Sequence, residues 1–391
     1  MGGHVNELEP LDLLDIDALI TDEERQIRDL AREWVRDRIL PYVDDWYERG
    51  EFPARELAKE LGELGFFGMQ LPGIGDLGSV AYGLVELELE AGDSGLRSFV
   101  SVQSALAMHA IHAFGSDEQK AAWLPRMATG DAIGCFGLSE PDSGSDPGSM
   151  RTHARREGSD WVISGTKMWI TNGSCSDVAV VWAITDDGIR GFLVPTDAPG
   201  FSAPDIHRKL SLRASVTSEL VMDGVRLPAD AMLPGVEGLK GPLRCLNEAR
   251  YGIVWGVMGA ARSCFETALS YAKERVQFGK PIGSFQLTQK KLTDMALELN
   301  KGTLLAHHLG RMREAGRLRP EHVSVGKLNN TREAITIART ARGILGANGI
   351  TLEYPIMRHM TNLESVLTYE GTEEVHTLVI GQALTGLRAF D

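Results

Sequence analysis

The chain has 391 residues, 43% hydrophobic and 24% charged, enough apolar material for two to three packed domains rather than a disordered chain. Its formal net charge of −14 opposes nucleic acid and anionic membrane, so an anionic ligand has to be held by local Arg, Lys and backbone N–H groups. No run of 18 or more apolar residues occurs, so no membrane insertion is expected.

The first third reads as helical. Thr21-Asp22-Glu23-Glu24 fits a capping box, after which Ile27, Leu30, Ala31, Trp34 and Val35 recur at helical spacing. Helical stretches follow at about 52–64, closed by Gly65, and at 80–91, closed by a Gly92-Asp93-Ser94-Gly95 break. Ser116-Asp117-Glu118-Gln119 is a second capping box. After Gly130, Trp161-Val162-Ile163 and Met168-Trp169-Ile170-Thr171 flank Ser164-Gly165-Thr166 and predict strand, turn, strand. Runs at 178–183, 192–194 and 220–222 add strands to an antiparallel β domain. From Pro242 the helical period returns near 242–275, 285–314 and 321–345 and again after Gly371, which predicts a bundle. The expected fold is mainly α with a central β domain, divided 1–132, 133–240 and 241–391.

The cysteines, Cys135, Cys175, Cys245 and Cys264, are far apart with no Cys-x-x-Cys pair. A disulfide framework or a zinc site is not expected, no metal is assigned, and a reducing cytoplasm is the natural setting. The first ten residues carry neither a secretory nor a transit pattern, and Asn6 stands where myristoylation of Gly2 needs Ser or Thr.

Four segments carry chemistry. Residues 137–146, Gly-Leu-Ser-Glu-Pro-Asp-Ser-Gly-Ser-Asp, are rich in glycine and hydroxyls; alone they read as a solvated turn, or as a loop whose N–H groups meet a phosphate. Trp169 in Lys167-Met168-Trp169-Ile170-Thr171 reads alone as a core tryptophan, or as a ring stacked on a flat ligand. Arg275, in Arg-Val-Gln-Phe-Gly-Lys-Pro, is either a helix-end cap or a pyrophosphate clamp. Glu370, ahead of Gly371-Thr372, would ordinarily be a surface cap.

In this order and spacing the four motifs resemble the acyl-CoA dehydrogenase family over about residues 20–391. The resemblance implies FAD between the β domain and the bundle, with Phe136, Leu138, Ser139, Gly144 and Ser145 along the flavin and pyrophosphate and Trp169, Ile170 and Thr171 facing the ring. Arg275, Phe278, Gln286, Leu345 and Gly346 would come from a neighbouring subunit of a homotetramer, and Thr372 and Glu374 would touch the dinucleotide. Gly343 and Ala347 depart from the family's Gln-x-x-Gly-Gly turn. Glu370 would be the base that takes the substrate α-proton, with Ser145, Leu246, Asn247, Arg250, Tyr369 and Gly371 along the acyl-CoA. In other branches an earlier helix supplies the base; here that region offers Gly252.

The segment 93–104 resembles the glutaryl-CoA branch, as do 209–215 and 245–252. That implies Arg97 and Ser98 at the far end of the acyl pocket with Glu90 as their partner. Read without the resemblance, Arg97 is a surface arginine after a glycine loop. The implied reaction is dehydrogenation of glutaryl-CoA, then decarboxylation to crotonyl-CoA, with electrons passed to an electron-transfer flavoprotein. The alternatives are a short-chain dehydrogenase with no dicarboxylate preference, an oxidase, a DNA-associated relative and a non-enzymatic flavin-binding scaffold.

Overall fold

The computed structural model describes residues 9–389, so the Met1–Asn6 stretch weighed for lipidation lies outside it. Thr21 opens α1 (Asp22–Trp34) with the expected capping box: its Oγ1 accepts from Glu24 N, and Glu24 Oε2 accepts from Thr21 N at 2.7 Å. A π-helical turn (Val35–Ile39), α2 (Val43–Arg49) and α3 (Ala54–Glu63) follow. Then comes α4 (Ser79–Gly92), buried on nearly every face. The predicted break after it is one residue deep. Asp93 alone leaves helical backbone, and its carboxylate accepts from Gly95 N at 2.6 Å to start α5 (Ser94–Ser101).

That helix continues through a π-helical segment (Val102–Met108) into α6 (His109–Phe114), so residues 94–114 are helical where the sequence predicts no helix. They are buried almost throughout; the polar face that α5 does carry, Ser94, Arg97, Ser98 and Ser101, begins within a Gly-Asp-Ser-Gly run that reads as a break. The second capping box opens α7 (Asp117–Ala128) as expected.

The sheet differs from expectation in two ways. Its strands are β1 (Gly134–Gly137), β2 (His153–Glu157), β3 (Asp160–Thr171), β4 (Val178–Thr185), β5 (Gly188–Pro195), β6 (Phe201–Ser202) and β7 (Thr217–Leu227). Residues 160–171 are one strand, not strand, turn, strand: Gly165, at φ +146°, bends the chain without reversing it, with register shifts against β7 on either side of 165–167. The sheet is also mixed. Beside the antiparallel β2–β3, β3–β7, β4–β5 and β6–β7 pairs, β1 runs parallel to β4, from Gly134 opposite Val178 to Gly137 opposite Val181. Such a parallel pair needs a long connection, which the β2–β3 excursion supplies.

Long α8 (Lys240–Glu274) leads to a small hairpin, β8 (Val276–Gln277) and β9 (Lys280–Pro281). Then follow α9 (Gln286–Glu314), α10 (Pro320–Leu345), α11 (Ile356–Thr368), which the sequence reading lacks, and α12 (Glu373–Thr385). Helices α8 to α11 pack on one another, and α4 lies against α8. One core joins the first and last helical regions and reaches the sheet through Val178, Val180 and Trp182, while Ala179, Val181 and Ala183 fill a second core behind it. That division follows from the two-residue period of β4.

Candidate active site

Residues 369–372 connect α11 to α12. Thr372, not Glu370, caps the following helix, its Oγ1 accepting from Val375 N at 3.3 Å. The surface-cap reading of Glu370 therefore fails, and its side chain is free for other work. Its backbone is left-handed, at φ +53°, followed by Gly371 at φ +95°. Buried Lys327 and half-buried Arg250 hold this turn. Lys327 on α10 donates from Nζ to the carbonyls of Tyr369 and Gly371, both at 2.7 Å, and Arg250 on α8 donates from Nε to the Glu370 carbonyl at 2.7 Å. With three successive carbonyls fixed, a conformation rare for a non-glycine residue is over-determined.

The Glu370 carboxylate is partly buried, and its Oε2 has no hydrogen-bond partner among the described residues. Burial pushes its pKa above the ordinary carboxylate range, against the pull of Arg97, Lys327 and Arg250. Burial likewise pushes the Lys327 ammonium down, opposed by Glu370. A carboxylate with raised basicity and an oxygen free to meet a C–H is built to take a proton.

The bland reading of Arg97 fails too: it is 1% exposed. Its Nε donates to Glu90 Oε2 at 2.8 Å, its NH2 donates to the Tyr369 hydroxyl, and its guanidinium lies 5.6 Å from the centre of the Tyr369 ring. Ser98 Oγ is 3.3 Å from the same hydroxyl, and Ser94 Oγ donates to Glu90 Oε1 at 2.8 Å. Arg97, Ser98, Glu90 and Tyr369 are thus one network, joined covalently to Glu370 through Tyr369. Burial opposes the Arg97 charge, but Tyr369 and the carboxyls of Glu90, Glu86 and Glu370 raise its pKa well above the ordinary value.

Asp93 fixes where this network sits. Its Oδ2 accepts from Arg358 NH1 at 2.7 Å and from Asn362 Nδ2 at 2.9 Å, tying the start of α5 to α11. Gly95 lets 209–215 come close: a Cβ there would lie 2.2 Å from the Ala214 carbonyl oxygen. On α8, Asn247 accepts from Arg250 NH1 at 3.1 Å beside half-buried Leu246.

A second group lies along the sheet. Phe136 packs on Trp182 at 5.7 Å, and Leu138 is buried. Beyond them the 139–146 loop is clasped from beneath, because Glu140 pairs with buried Lys167 at 2.8 Å and accepts from Arg151 N and Thr152 N. Gly144 and Ser145 are exposed and Ser139 half-buried. Trp169 is no core residue: at φ +65° and 60% exposed, it is turned outward by the β3 irregularity. Ile170 is buried in the second core opposite Ser218 of β7, and Thr171 is half-buried opposite Thr217.

Of the remaining expected residues, all but Glu374 lie around the far end of α8. Arg275 and Gln286 are exposed, and Phe278, at φ +52°, is 94% exposed with only Phe285 beside it. Leu345 is buried in the helical core, whereas Gly346 is exposed; the turn they begin is tied to α8 by Asn348 Nδ2 donating to the Tyr271 hydroxyl at 3.1 Å. Glu374 is exposed in the first turn of α12.

Sequence reasoning missed Lys327, which holds the Glu370 turn, and Lys167, which holds the loop. The available signals were weak: Lys327 stands among Val323, Ser324, Asn330 and Thr331, a face that does not read as apolar, and only Lys167, inside a strand, was out of place.

With this geometry in hand, comparison with known proteins is specific. Models described as the acyl-CoA dehydrogenase N-terminal, middle and C-terminal domains match residues 21–131, 135–225 and 237–385. A crystal structure of glutaryl-CoA dehydrogenase from Mycobacterium smegmatis is 68% identical, with a TM-score of 0.97 over 98% of this chain and 99% of that one. A second, from the same organism and in complex with FADH2, is 62% identical with a TM-score of 0.96 over the same shares. The short-chain specific acyl-CoA dehydrogenase of Bos taurus is 35% identical over 95% of this chain and 92% of its own length.

Proposed function

This chain belongs to the acyl-CoA dehydrogenase family, and we propose that it dehydrogenates glutaryl-CoA at the α and β carbons and then decarboxylates the product to crotonyl-CoA. The observation that carries the reading is a buried arginine, Arg97, in one hydrogen-bonded network with the tyrosine next to Glu370. An apolar acyl tail gives such a guanidinium nothing to bond, whereas a far carboxylate does.

Glu370 takes the α-proton. Its raised pKa and unpartnered Oε2 suit it to that step, and the thioester carbonyl is polarised by the Glu370 N–H, which the fixed turn directs. The cofactor is FAD, which when bound supplies the acceptor for the β-hydrogen. The residues fit such a group: Trp169 and Phe278 expose large aromatic faces that a flat ring and an adenosine would cover, and Ser139 and Ser145 offer hydroxyls to its polar parts. After loss of the far carboxylate, Glu370 still carries the α-proton and returns it to the substrate.

Arg275, Phe278, Gln286 and the 345–346 turn would serve the cofactor of a neighbouring copy in a homotetramer, which accounts for their exposure in one chain. Residues 1–132 and 241–391 would then hold the acyl chain between them, with 133–240 as the flavin wall. Electrons leave to an electron-transfer flavoprotein, and the setting is the cytoplasm; among the described residues no helix is long and apolar enough to cross a membrane. The test is anaerobic mixing with glutaryl-, butyryl- and isobutyryl-CoA. Flavin bleaching fastest with glutaryl-CoA, yielding crotonyl-CoA and carbon dioxide, supports the proposal, whereas equal bleaching by butyryl-CoA favours the short-chain reading.

A further inference from the structure

A second buried carboxyl group lies beside this network with no role yet. Glu86 is one helical turn before Glu90 on α4, 0% exposed, and neither of its oxygens has a hydrogen-bond partner among the described residues. The Tyr82 hydroxyl, a turn earlier, and Ser101 Oγ are buried and unpartnered in the same way. Glycines on α8 cover this row. A Cβ at Gly252 would lie 2.8 Å from the Tyr82 hydroxyl and 3.1 Å from Glu86 Oε2, and one at Gly256 would lie 2.2 Å from Glu90 Oε2 and 3.3 Å from Arg97 Cδ. Buried polar atoms are satisfied in the great majority of cases, so unpartnered ones bordering Arg97 mark a place where ligand atoms complete the bonding.

We propose, resting on the dicarboxylate reading above, that Glu86 is a further specificity-determining residue which receives the far carboxylate of the acyl chain together with Arg97. Arg97 does not suffice alone. Its Nε is already committed to Glu90, so one cation faces one carboxylate before any substrate enters. A second carboxylate, brought by the substrate, needs a donor that carries no negative charge, and the O–H of a protonated Glu86 is one.

The groups around Glu86 favour that form. Burial disfavours its carboxylate most; Arg97 on α5 opposes this, Glu90 on the same helix adds to it, the neighbouring Tyr82 hydroxyl opposes it and Glu370 adds again, leaving the pKa at about 8. From α8 the neighbours are Gly252 and the uncharged Tyr251, stacked on Tyr82 at 6.2 Å. Below about pH 8, therefore, Glu86 donates. Above it, a carboxylate repels the incoming one.

The test is the ratio of kcat/KM for glutaryl-CoA to that for butyryl-CoA across pH, in the wild-type holoenzyme and in Glu86→Gln, with flavin content and melting temperature measured alongside. Glu370 and Lys327 titrate with either substrate, so the ratio removes them. In the wild type it should fall about tenfold per pH unit above roughly pH 8, through KM rather than kcat. In Glu86→Gln, which stays neutral and still donates, it should be flat. A wild-type ratio that does not change with pH overturns the assignment, even if the variant fails to fold, and so does the same break in a folded Glu86→Gln. A wild-type enzyme that bleaches no faster with glutaryl-CoA than with butyryl-CoA at pH 7 overturns the dicarboxylate reading itself, and this inference with it.

Discussion

Replacing Arg97 by Met removes a guanidinium that serves two ends at once, and the two losses are separable. Toward the substrate, the variant loses a charge-assisted hydrogen bond to the far carboxylate, worth about 1.5–3 kcal/mol. At about 1.4 kcal/mol per tenfold, kcat/KM for glutaryl-CoA should fall roughly 10- to 150-fold. Toward the fold, Glu90 loses its 2.8 Å partner while remaining 0% exposed, and stranding one member of a buried pair costs about 3–5 kcal/mol. Arg97→Met should therefore melt several degrees lower. Adding Glu90→Gln removes the stranded charge and should restore most of the stability, without restoring glutaryl-CoA turnover. Butyryl-CoA, with no far carboxylate, should change less than about threefold in the double variant. The assay is initial-rate reduction of an artificial electron acceptor with both substrates, beside thermal unfolding. Equal loss for both substrates in the stable double variant would refute the reasoning, because Arg97 would then be structural.

Glu370→Gln should lose on the order of 10²–10⁴-fold in kcat while still binding FAD and acyl-CoA, read from flavin bleaching and from titration of the oxidised enzyme. Glu370 must be ionised to accept a proton and its pKa is raised, so activity with either substrate should fall with acidification at a pH above the ordinary carboxylate range; a stopped-flow pH profile checks this. Lys327→Met should slow both substrates alike and lower the melting temperature, since the carbonyls of Tyr369 and Gly371 lose their donor at about 1–3 kcal/mol each. A selective loss of glutaryl-CoA turnover would contradict its role as holder of the turn. Gly371→Ala should be harmful for two reasons: φ is +95°, and a Cβ would stand 2.9 Å from His376 Nε2. Circular dichroism melts and flavin content report it.

The elements legible in the sequence were those with a local cause. Both capping boxes formed because reciprocal side-chain bonds need only four residues, and the long bundle helices declared themselves by period. Residues 94–114 were hidden behind a Gly-Asp-Ser-Gly run that reads as a break, and Gly165 read as a turn because a glycine between two β-rich runs serves a bend as well as a reversal. Glu370 and Arg97 were singled out through motif order, whereas their environments were not visible. Whether Arg97 is buried depends on Asp93, Arg358 and Asn362, which are some 265 residues apart in sequence. Glu86 was overlooked, although Tyr82, Glu86 and Glu90 at four-residue intervals in an apolar helix are a polar stripe that needed explaining.

The glycines of α8 against α4 have a consequence for how such a protein can change over generations. A Cβ at Gly259 would stand 1.8 Å from the Leu87 carbonyl oxygen, so the two helices meet backbone to backbone there, while Gly252 and Gly256 lie against the side chains of Tyr82, Glu86, Glu90 and Arg97. Drift at Gly259 is closed, since any added side chain must force the helices apart, whereas at Gly252 and Gly256 it must displace the buried ends of Tyr82, Glu86 and Glu90. The spacing of α4 and α8, and with it the depth of the proposed acyl site, is then fixed at Gly259. If the acyl chain ends at Arg97 as proposed, descendants can acquire a new acyl preference mainly by exchanging single side chains on α4 and α5, among them Glu86, Arg97 and Ser98. A change of substrate on this scaffold can therefore proceed in few steps, each made on an unchanged frame.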